Sequence, residues 1–188
     1  RPVTAMWMPG RPDIQKVIDE TGKKSGRNGA TNAWPVDMLQ PGDVLVVDHY
    51  GLKIDGPSIG DNVGNSIYAK SGNGIVYDGA VRDIEGLKEL ENFTSFIRHY
   101  HPSHHFGVLG ARFNTTLIGI NVPTRIGQAT VMPGDVVLGK EGGVLFIPPQ
   151  FAEAVVKSSE VVRLRDLFGH ERLKEGKYTA GQIDTRWT

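Results

Sequence analysis

Two short segments of this sequence combine residue types that bind carboxylates and hard cations. The first, GDNVGN at 60–65, stands where a strand is predicted to pass into a helix, and the first N–H groups of a helix have no partners within it. A carboxylate held by the amides of Asn62 and Val63 would be favoured by hydrogen bonds and by the helix dipole. The structural alternative is that Asp61 only caps the helix.

The second segment is DGAVRD at 78–83, which directly follows the apolar run GIVY. Such a run predicts a strand, so the segment is predicted to be a loop at the strand end. Arg82 could grip a carboxylate or polarise a ketone with two parallel hydrogen bonds, and Asp83 could hold a hard cation directly or through water. A structural alternative is open here too, because Asp83 could serve only as an N-cap.

The two segments lie at successive predicted strand-to-helix junctions. Open α/β sheets bring such junctions together at one edge of the sheet. The sequence therefore predicts that Asp61 and Arg82 share one site.

The elements that position these segments alternate between strands and helices. The N-terminal residues read as a strand, Pro12 opens a helix that stops at Gly22, and the polar, Gly-rich stretch 22–35 is predicted to be a surface loop. PGD turns at 41–43 and 133–135 each precede a β-rich run. Later helices are predicted over about 63–71 and from Asp83, where the helix is expected to be capped. Later strands are predicted near 93–98, 115–122 and 144–147.

Several of these strands follow turns rather than helices, which predicts a mixed α/β sheet rather than a purely parallel one. We expect one domain over 1–188, with a helical tail from about 149 to 168. The sequence contains neither a P-loop nor a G-x-G-x-x-G pattern, so a doubly wound nucleotide fold and an adenosyl-dependent methyltransferase have no support.

The composition excludes several classes of partner. Lys plus Arg and Asp plus Glu are balanced at 21 each, so no overall field draws the chain to nucleic acid or to an acidic membrane. The lack of Cys excludes disulfides and agrees with a reducing compartment, so a cytoplasmic location is expected. No apolar stretch approaches the ~20 residues of a membrane span. The chain begins without Met inside a predicted strand, and we expect the natural protein to carry further N-terminal residues.

The run GDNVGNSIYAKSGNGIVYDGAVRD at 60–83 resembles the signature of the 4-hydroxy-4-methyl-2-oxoglutarate aldolases and of the regulator of ribonuclease activity A. Downstream, INVPTRIGQATVMPGDVVLGKEGGVLFIP follows the same family, and the resemblance spans about 44–168. It implies an αββα sandwich with a mixed sheet, of the swivelling, phosphohistidine-domain-like type. It also implies a homotrimer, or a hexamer of two trimers, with sites between subunits.

The resemblance also implies roles for individual residues. Asp61 would order metal-bound water, and the backbone of Asn62 and Val63 would bind the substrate together with Arg82. Asp83 would hold Mg2+ or Mn2+. All of these residue types are present in the expected order.

Two features of the C-terminal half bear on this resemblance. An acidic residue from the C-terminal region of a neighbouring subunit is implied at the metal, and Glu160 is the candidate. After PGDVV, the family usually has acidic residues, whereas this chain has GKEGG at 139–143. The departure leaves the contacts with substrate and neighbouring subunits open in that region.

The activity that the resemblance implies is cleavage of a 4-hydroxy-2-oxo acid to pyruvate. Breaking the bond beside a tertiary alcohol releases a pyruvate enolate, whose charge Mg2+ or Mn2+ would stabilise as a Lewis acid and Arg82 would share. Decarboxylation of oxaloacetate would pass through the same enolate. No Schiff base is required, although Lys53 and Lys70 lie near in sequence.

The alternative is a non-catalytic regulator that docks on an RNA-degrading enzyme. The metal and arginine positions are retained, and a docking protein would not need them, so the enzyme is favoured. In neither case do we expect direct binding of nucleic acid or a membrane.

A histidine-rich run, RHYHPSHH at 98–105, follows the second segment. His101 and His105 have the i,i+4 spacing of a helical transition-metal site, but Pro102 argues against a helix. A substrate contact by one of His99, His101, His104 or His105 and an ordinary polar loop are the other interpretations, and the last is favoured.

Overall fold

A five-stranded mixed sheet forms the centre of residues 1–146. In the computed structural model, which describes residues 1–53, 56–103 and 114–187, the strands are β1 (Pro2–Pro9), β2 (Val44–Asp48), β3 (Ile75–Val81), β4 (Ser95–Tyr100) and β5 (Thr115–Ile120). Their order is β4-β3-β2-β1-β5; the first four are parallel, and β5 runs antiparallel to β1. The predicted mixed sheet is confirmed.

The sheet lies between a layer of helices and a layer of β-hairpins, because successive strand residues point to opposite faces. On one face, the core joins the strands to α1 (Pro12–Lys24), α2 (Ala33–Asp37), α3 (Asp61–Ser71) and α4 (Ile84–Lys88). On the other face, Val46 and Val76 pack under the hairpins β6 (Thr124–Ile126) with β7 (Ala129–Val131) and β8 (Val136–Lys140) with β9 (Gly143–Ile147). The α/β sandwich is thus confirmed, while β6 and β7 had not been predicted.

The surface loop predicted over 22–35 is wrong in its last part. Helix α2 begins at Ala33, and the ring of Trp34 is buried with 6% exposure. A Cβ at Gly22 would lie 2.1 Å from that ring, so the ring can pack against α1 only because Gly22 has no side chain. The polar composition of 22–35 therefore did not indicate that Trp34 is part of the core.

The strand that leads into the second segment is longer than predicted. β3 continues to Val81, so Asp78 lies inside a strand and not in a loop, and only Arg82 and Asp83 follow the strand. Gly79, next to Asp78, interrupts the apolar run. The sequence pattern therefore does not reveal that β3 is buried throughout. The first segment also differs from the prediction, since β2 ends well before α3 and the described residues 56–60, which lead into that helix, form no strand.

The last part of the chain, Ile147–Thr188, is a second compact unit. It consists of a 3-10 turn (Pro149–Phe151), the long helix α5 (Ala152–Lys174) and α6 (Ala180–Trp187). Helix α5 passes the predicted end at about 168. Whether the two units fold as one domain stays a prediction.

In the part of the chain that the structure describes, no helix combines the length and the apolar character that crossing a bilayer requires.

Candidate functional site

The two predicted segments meet at the start of α3. The backbone N–H of Arg82 donates to the carbonyl of Ile59 at 3.0 Å. This bond holds the chain that leaves β3 beside the chain that enters α3. The structure therefore brings the segments together even though the described residues 56–60, just before α3, form no strand.

Gly60 is the point of closest approach. A Cβ at this position would lie 2.3 Å from Asp83 Oδ2 and 2.9 Å from Arg82 Nε, distances that real Cβ atoms do not reach. With these two side chains in their present positions, glycine lets the backbone at the start of α3 lie against both of them.

Asp61, the next residue, lies against α4. A Cβ at Gly86 would be 2.6 Å from Asp61 Cβ and 3.0 Å from Asp61 Oδ2. Nearby, a Cβ at Gly64 would lie 2.2 Å from Leu87 Cδ2, so α3 and α4 pack closely. Two carboxylates and one guanidinium thus surround the start of α3.

The first amides of α3 are arranged differently from the prediction. Gly60, not Asp61, occupies the N-cap position, and Asp61 Oδ1 accepts a hydrogen bond from the backbone N–H of Asn62 at 2.7 Å. A substrate carboxylate bound at that amide would have to replace Asp61. The side chain of Val63 packs against the core, which leaves only its backbone for a ligand.

Arg82 and Asp83 form an ion pair with little geometric constraint. Arg82 Nε lies 3.1 Å from Asp83 Oδ2, and the side chains are 23% and 42% exposed. The buried Nε–H makes no hydrogen bond to any residue that the structure describes. Charge attraction, and not a directional hydrogen bond, therefore holds the pair.

Asp83 has an unusual backbone conformation. Its φ of 52° and ψ of 47° are left-handed, a region that costs a non-glycine residue free energy and that Asp tolerates better than most. It precedes α4, yet its side chain makes no capping hydrogen bond, so the prediction of a capped helix is wrong. The carboxylate is turned to Arg82 and Gly60 instead.

The other predicted residues lie elsewhere. Glu160 is an exposed residue of α5, within the second unit, and its role at a neighbouring subunit's metal stays a prediction. Lys70 pairs with Asp37 at 3.6 Å, and Lys53 is exposed. Among residues 1–53, 56–103 and 114–187, no group of three or more His, Cys, Asp or Glu is arranged to hold a metal ion.

The histidine-rich run is described only in part. His99 lies on β4, its ring centroid is 6.5 Å from that of His101, and His101 Nδ1 lies 2.8 Å from Ser103 Oγ. His104 and His105 lie outside the described residues. The ordinary polar loop favoured for this run stays a prediction.

A second Arg–Asp cluster was missed because Asp78 was assigned to a loop. Asp78 on β3 is 3% exposed, pairs with Arg98 of β4 and accepts a hydrogen bond from the Gly127 N–H at 3.1 Å. Burial alone would raise the pKa of Asp78, but these hydrogen bonds and the charges of Arg98 and Arg125 outweigh it and hold the pKa below its usual value. Strand alternation, which puts Asp78 on the face of Val76, could have revealed the cluster.

Together, the fold and the site define a class: mixed α/β sandwiches in which acidic residues and an arginine meet at the start of a helix. Residues 17–146 match the sequence model of the RraA-like family, described as Aldolase/RraA. The chain therefore belongs to the RraA-like family.

Individual relatives point in two directions. A Halalkalibacterium halodurans protein, provisionally named a 4-hydroxy-4-methyl-2-oxoglutarate aldolase, is 36% identical over 121 residues, covering 64% of this chain and 53% of that protein. RraAS2 of Streptomyces coelicolor, described as an unusual member of the RNase ES inhibitor RraA family, has a TM-score of 0.71 at 25% identity, covering 91% of this chain and 76% of that one.

The RNA-processing inhibitor RraA of Thermus thermophilis shares the fold, with a TM-score of 0.56 at 23% identity over 79% of this chain and 74% of that one. The chain spans 53%, 21% and 48% of the lengths of three curated relatives that it matches. The relatives thus include proteins named for an aldolase and for a family of RNase ES inhibitors, and family membership does not decide between these roles.

Proposed function

We propose that this protein is a divalent-metal-dependent lyase of the pyruvate aldolase type, which cleaves a 4-hydroxy-2-oxo acid to pyruvate. The observation that carries the proposal is the close approach at Gly60, beside which Arg82 and Asp83 lie, with Asp61 as the next residue. A regulator that only docks would have no need of an arginine and two carboxylates around the start of a helix.

The donor set fits Mg2+ or Mn2+. Asp61 and Asp83 offer hard carboxylate oxygens, and Mg2+ commonly binds to one or two carboxylates while keeping several waters and substrate oxygens. The 42% exposure of Asp83 leaves room for such ligands. We propose that Asp83 holds the ion directly and Asp61 through water. A bound ion would supply Lewis-acid stabilisation of charge at the 2-oxo oxygen.

The protein residues have separate tasks in this scheme. Arg82 donates hydrogen bonds to the 2-oxo acid, and the backbone of Asn62 and Val63 binds its carboxylate at the start of α3. Asp61 accepts the proton of the 4-hydroxyl, directly or through water. The C3–C4 bond then breaks, the C4 hydroxyl carbon becomes a carbonyl, and the electron pair passes to the 2-oxo oxygen, where Arg82 stabilises it.

The same arrangement supports decarboxylation of oxaloacetate as a second reaction. Loss of the C4 carboxylate as carbon dioxide leaves the same enolate, which takes up a proton to give pyruvate. Binding and charge stabilisation by Arg82 would be unchanged, whereas no hydroxyl proton has to be removed. The two reactions should therefore differ in their dependence on Asp61.

Release of pyruvate from a panel of 4-hydroxy-2-oxo acids and oxaloacetate tests the proposal. Turnover should require Mg2+ or Mn2+, stop on addition of EDTA, and be abolished in Asp83→Asn. The exposed Glu141→Gln in the β8–β9 turn is a matched carboxylate-to-amide control and should behave as the wild type. Undiminished turnover in EDTA, or in Asp83→Asn, contradicts the proposal.

A homotrimer or hexamer with sites between subunits, and Glu160 of a neighbouring subunit at the metal, also belong to the proposal. Glu160 is exposed on α5, so it is accessible to another subunit. Loss of Mg2+ affinity in Glu160→Gln, without a change in oligomeric mass, would support this role. Unchanged affinity would remove Glu160 from the site.

A second candidate function is regulation of an RNA-degrading enzyme by docking. The 25% identity and the TM-score of 0.71 with Streptomyces coelicolor RraAS2 favour it. Capture of a purified RNase E-type enzyme that persists in EDTA and in Arg82→Gln would support docking independent of the metal site. Absence of capture, together with metal-dependent pyruvate release, would support the lyase alone.

A further inference from the structure

A cleft on the hairpin face of the sheet is built from different residues than the site around Gly60. It has a volume of about 290 Å³ and lies among β3, β4, the β6–β7 hairpin and β9. This volume is at the lower end of the range for small-molecule pockets, roughly 300–1000 Å³. Most of its wall is apolar, formed by Val76, Phe96, Ile126, Val144 and Phe146.

The polar part of the cleft is an ordered ion pair. Asp78 is 3% exposed and its two oxygens bind Arg98 Nε and the Gly127 N–H, whereas the Arg98 side chain is 49% exposed. The carboxylate therefore lies underneath and the guanidinium faces solvent. The terminal nitrogens of Arg98 make no hydrogen bond to any residue in the described ranges, and Nη2 lies 3.5 Å from the Cβ position of Gly127.

A neighbouring pair repeats this arrangement. Asp48 of β2 is aligned with Asp78 in the strand register, and its carboxylate lies 3.7 Å from Arg125 Nη2. Asp48 is 9% exposed and Arg125 is 58% exposed. The cluster has two charges of each sign, but the negative ones are buried and the positive ones face outward. Its accessible surface is therefore positive and rich in hydrogen-bond donors.

We propose that this cleft binds a small organic acid, with its carboxylate on the terminal nitrogens of Arg98 and its aliphatic or aromatic part on the apolar wall. Asp78 fixes the guanidinium before the ligand arrives, which lowers the entropic cost of binding. The ligand needs no metal ion, because the positive charge is supplied by the protein. None of Asp61, Arg82 or Asp83 takes part, so the inference stands independently of the lyase proposal.

The probe is 3-phenylpropanoate, compared with its neutral analogue 3-phenylpropanamide. Both are titrated in EDTA into the complete, 15N-labelled chain, with the Gly127 amide as the reporter because it lies beside Arg98. The acid should bind at least about tenfold more tightly than the amide, since it alone pairs with the guanidinium. Equal affinities would overturn the proposal.

Variants of Ala129 test the place of binding without removing a charge. Ala129 lines the cleft and is exposed, so Ala129→Leu should fill space while the fold is kept, and Ala129→Ser is the matched control at the same position. The Leu variant should weaken acid binding at least about tenfold, and the Ser variant should not. Unaltered binding in Ala129→Leu would overturn the proposal.

Two arginine variants separate this cleft from the candidate active site. Arg98→Lys keeps a positive charge beside Asp78 but loses the planar fork, and it should weaken acid binding. Arg82→Gln should leave acid binding unchanged. If instead Arg82→Gln abolishes binding and Arg98→Lys preserves it, the acid binds at the start of α3 and the proposal fails. Should Arg98→Lys not fold, the Ala129 pair still decides.

Discussion

The pairs Arg82–Asp83 and Arg98–Asp78 use the same chemical groups in opposite ways. Asp78 is 3% exposed, lies within β3 where the pairing with β4 shifts register, and accepts hydrogen bonds from Arg98 and Gly127. Asp83 is 42% exposed, has a left-handed backbone, and its contact with Arg82 has no hydrogen-bond geometry. In the Arg98–Asp78 pair both carboxylate oxygens are hydrogen-bonded, whereas the Asp83 carboxylate of the other pair keeps capacity for a ligand.

The difference follows from burial. A buried carboxylate that loses its partner carries the cost of desolvation uncompensated, so it must be paired in the folded protein. A half-exposed ion pair contributes little to stability, because water can solvate both members. The chain can therefore keep Arg82 and Asp83 for binding at small cost, while Asp78 is fixed by the requirements of the fold.

The largest expected effect is on catalysis. Arg82→Gln should lower kcat about 100- to 1000-fold, or about 2.7–4 kcal/mol of transition-state stabilisation, because a charge-stabilising donor is lost. Its midpoint of urea unfolding should stay close to that of the wild type. Arg11→Gln, at an exposed ion pair before α1, is the control. An Arg82→Gln enzyme of normal kcat would mean that Arg82 and Asp83 serve the fold, as Asp78 does.

The next effect is on stability. Asp78→Asn should lower the free energy of unfolding by about 1.5–3 kcal/mol, since charged hydrogen bonds to a buried group are lost. Asp83→Asn should lower the free energy of unfolding by less than about 0.5 kcal/mol, because Asn tolerates the same left-handed backbone conformation. Urea unfolding followed by circular dichroism measures both. Equal costs would show that burial does not distinguish the pairs.

The pH dependence of stability tests whether Asp78 is ionised and paired in the folded protein. The pKa of Asp78 is lower in the folded chain than its unfolded value of about 3.9, so its stabilisation is complete above that pH and declines as the pH falls through the folded pKa. The difference in unfolding free energy between wild type and Asp78→Asn should thus be constant at neutral pH and shrink below about pH 4. A difference that grows on acidification would contradict this sign.

The smallest effect concerns the backbone of Asp83. Asp83→Gly should be about 1 kcal/mol more stable than Asp83→Ala, because a left-handed conformation strains alanine and not glycine. Both variants should have lost metal binding. Thermal unfolding of the two proteins side by side measures the difference, and Asp78→Ala against Asp78→Gly, at a strand position, should give no such preference for glycine. A more stable Ala variant at Asp83 would remove the argument for strain.

Much of the fold could be predicted because it follows from local patterns. Apolar runs after PGD turns identified β2 and β8, and the helical spacing after Pro12 identified α1. The errors arose where one long-range contact overrides local composition. Trp34 enters the core from a polar stretch because Gly22 leaves room for its ring, and no pattern within 22–35 announces that contact.

The candidate site was predictable in its members and not in its geometry. Residue types at successive junctions suggested that Asp61 and Arg82 meet. The sequence could not indicate that Gly60 is the point of closest approach, or that Asp83 turns its carboxylate away from the helix it precedes. Both depend on the bond between Arg82 and Ile59, which joins residues far apart in the chain.

The position of β1 has a consequence for the order in which the chain folds. β1 lies between β2 and β5, so its two neighbours reach it after very different lengths of chain have been made. Thr4 Oγ1 bonds the carbonyl of Val122 across 118 residues, and closing such a long loop is slow and entropically costly. We therefore expect the parallel strands β1 to β3 to pair first and β5 to dock last, leaving one side of β1 open to incorrect pairing until synthesis is well advanced.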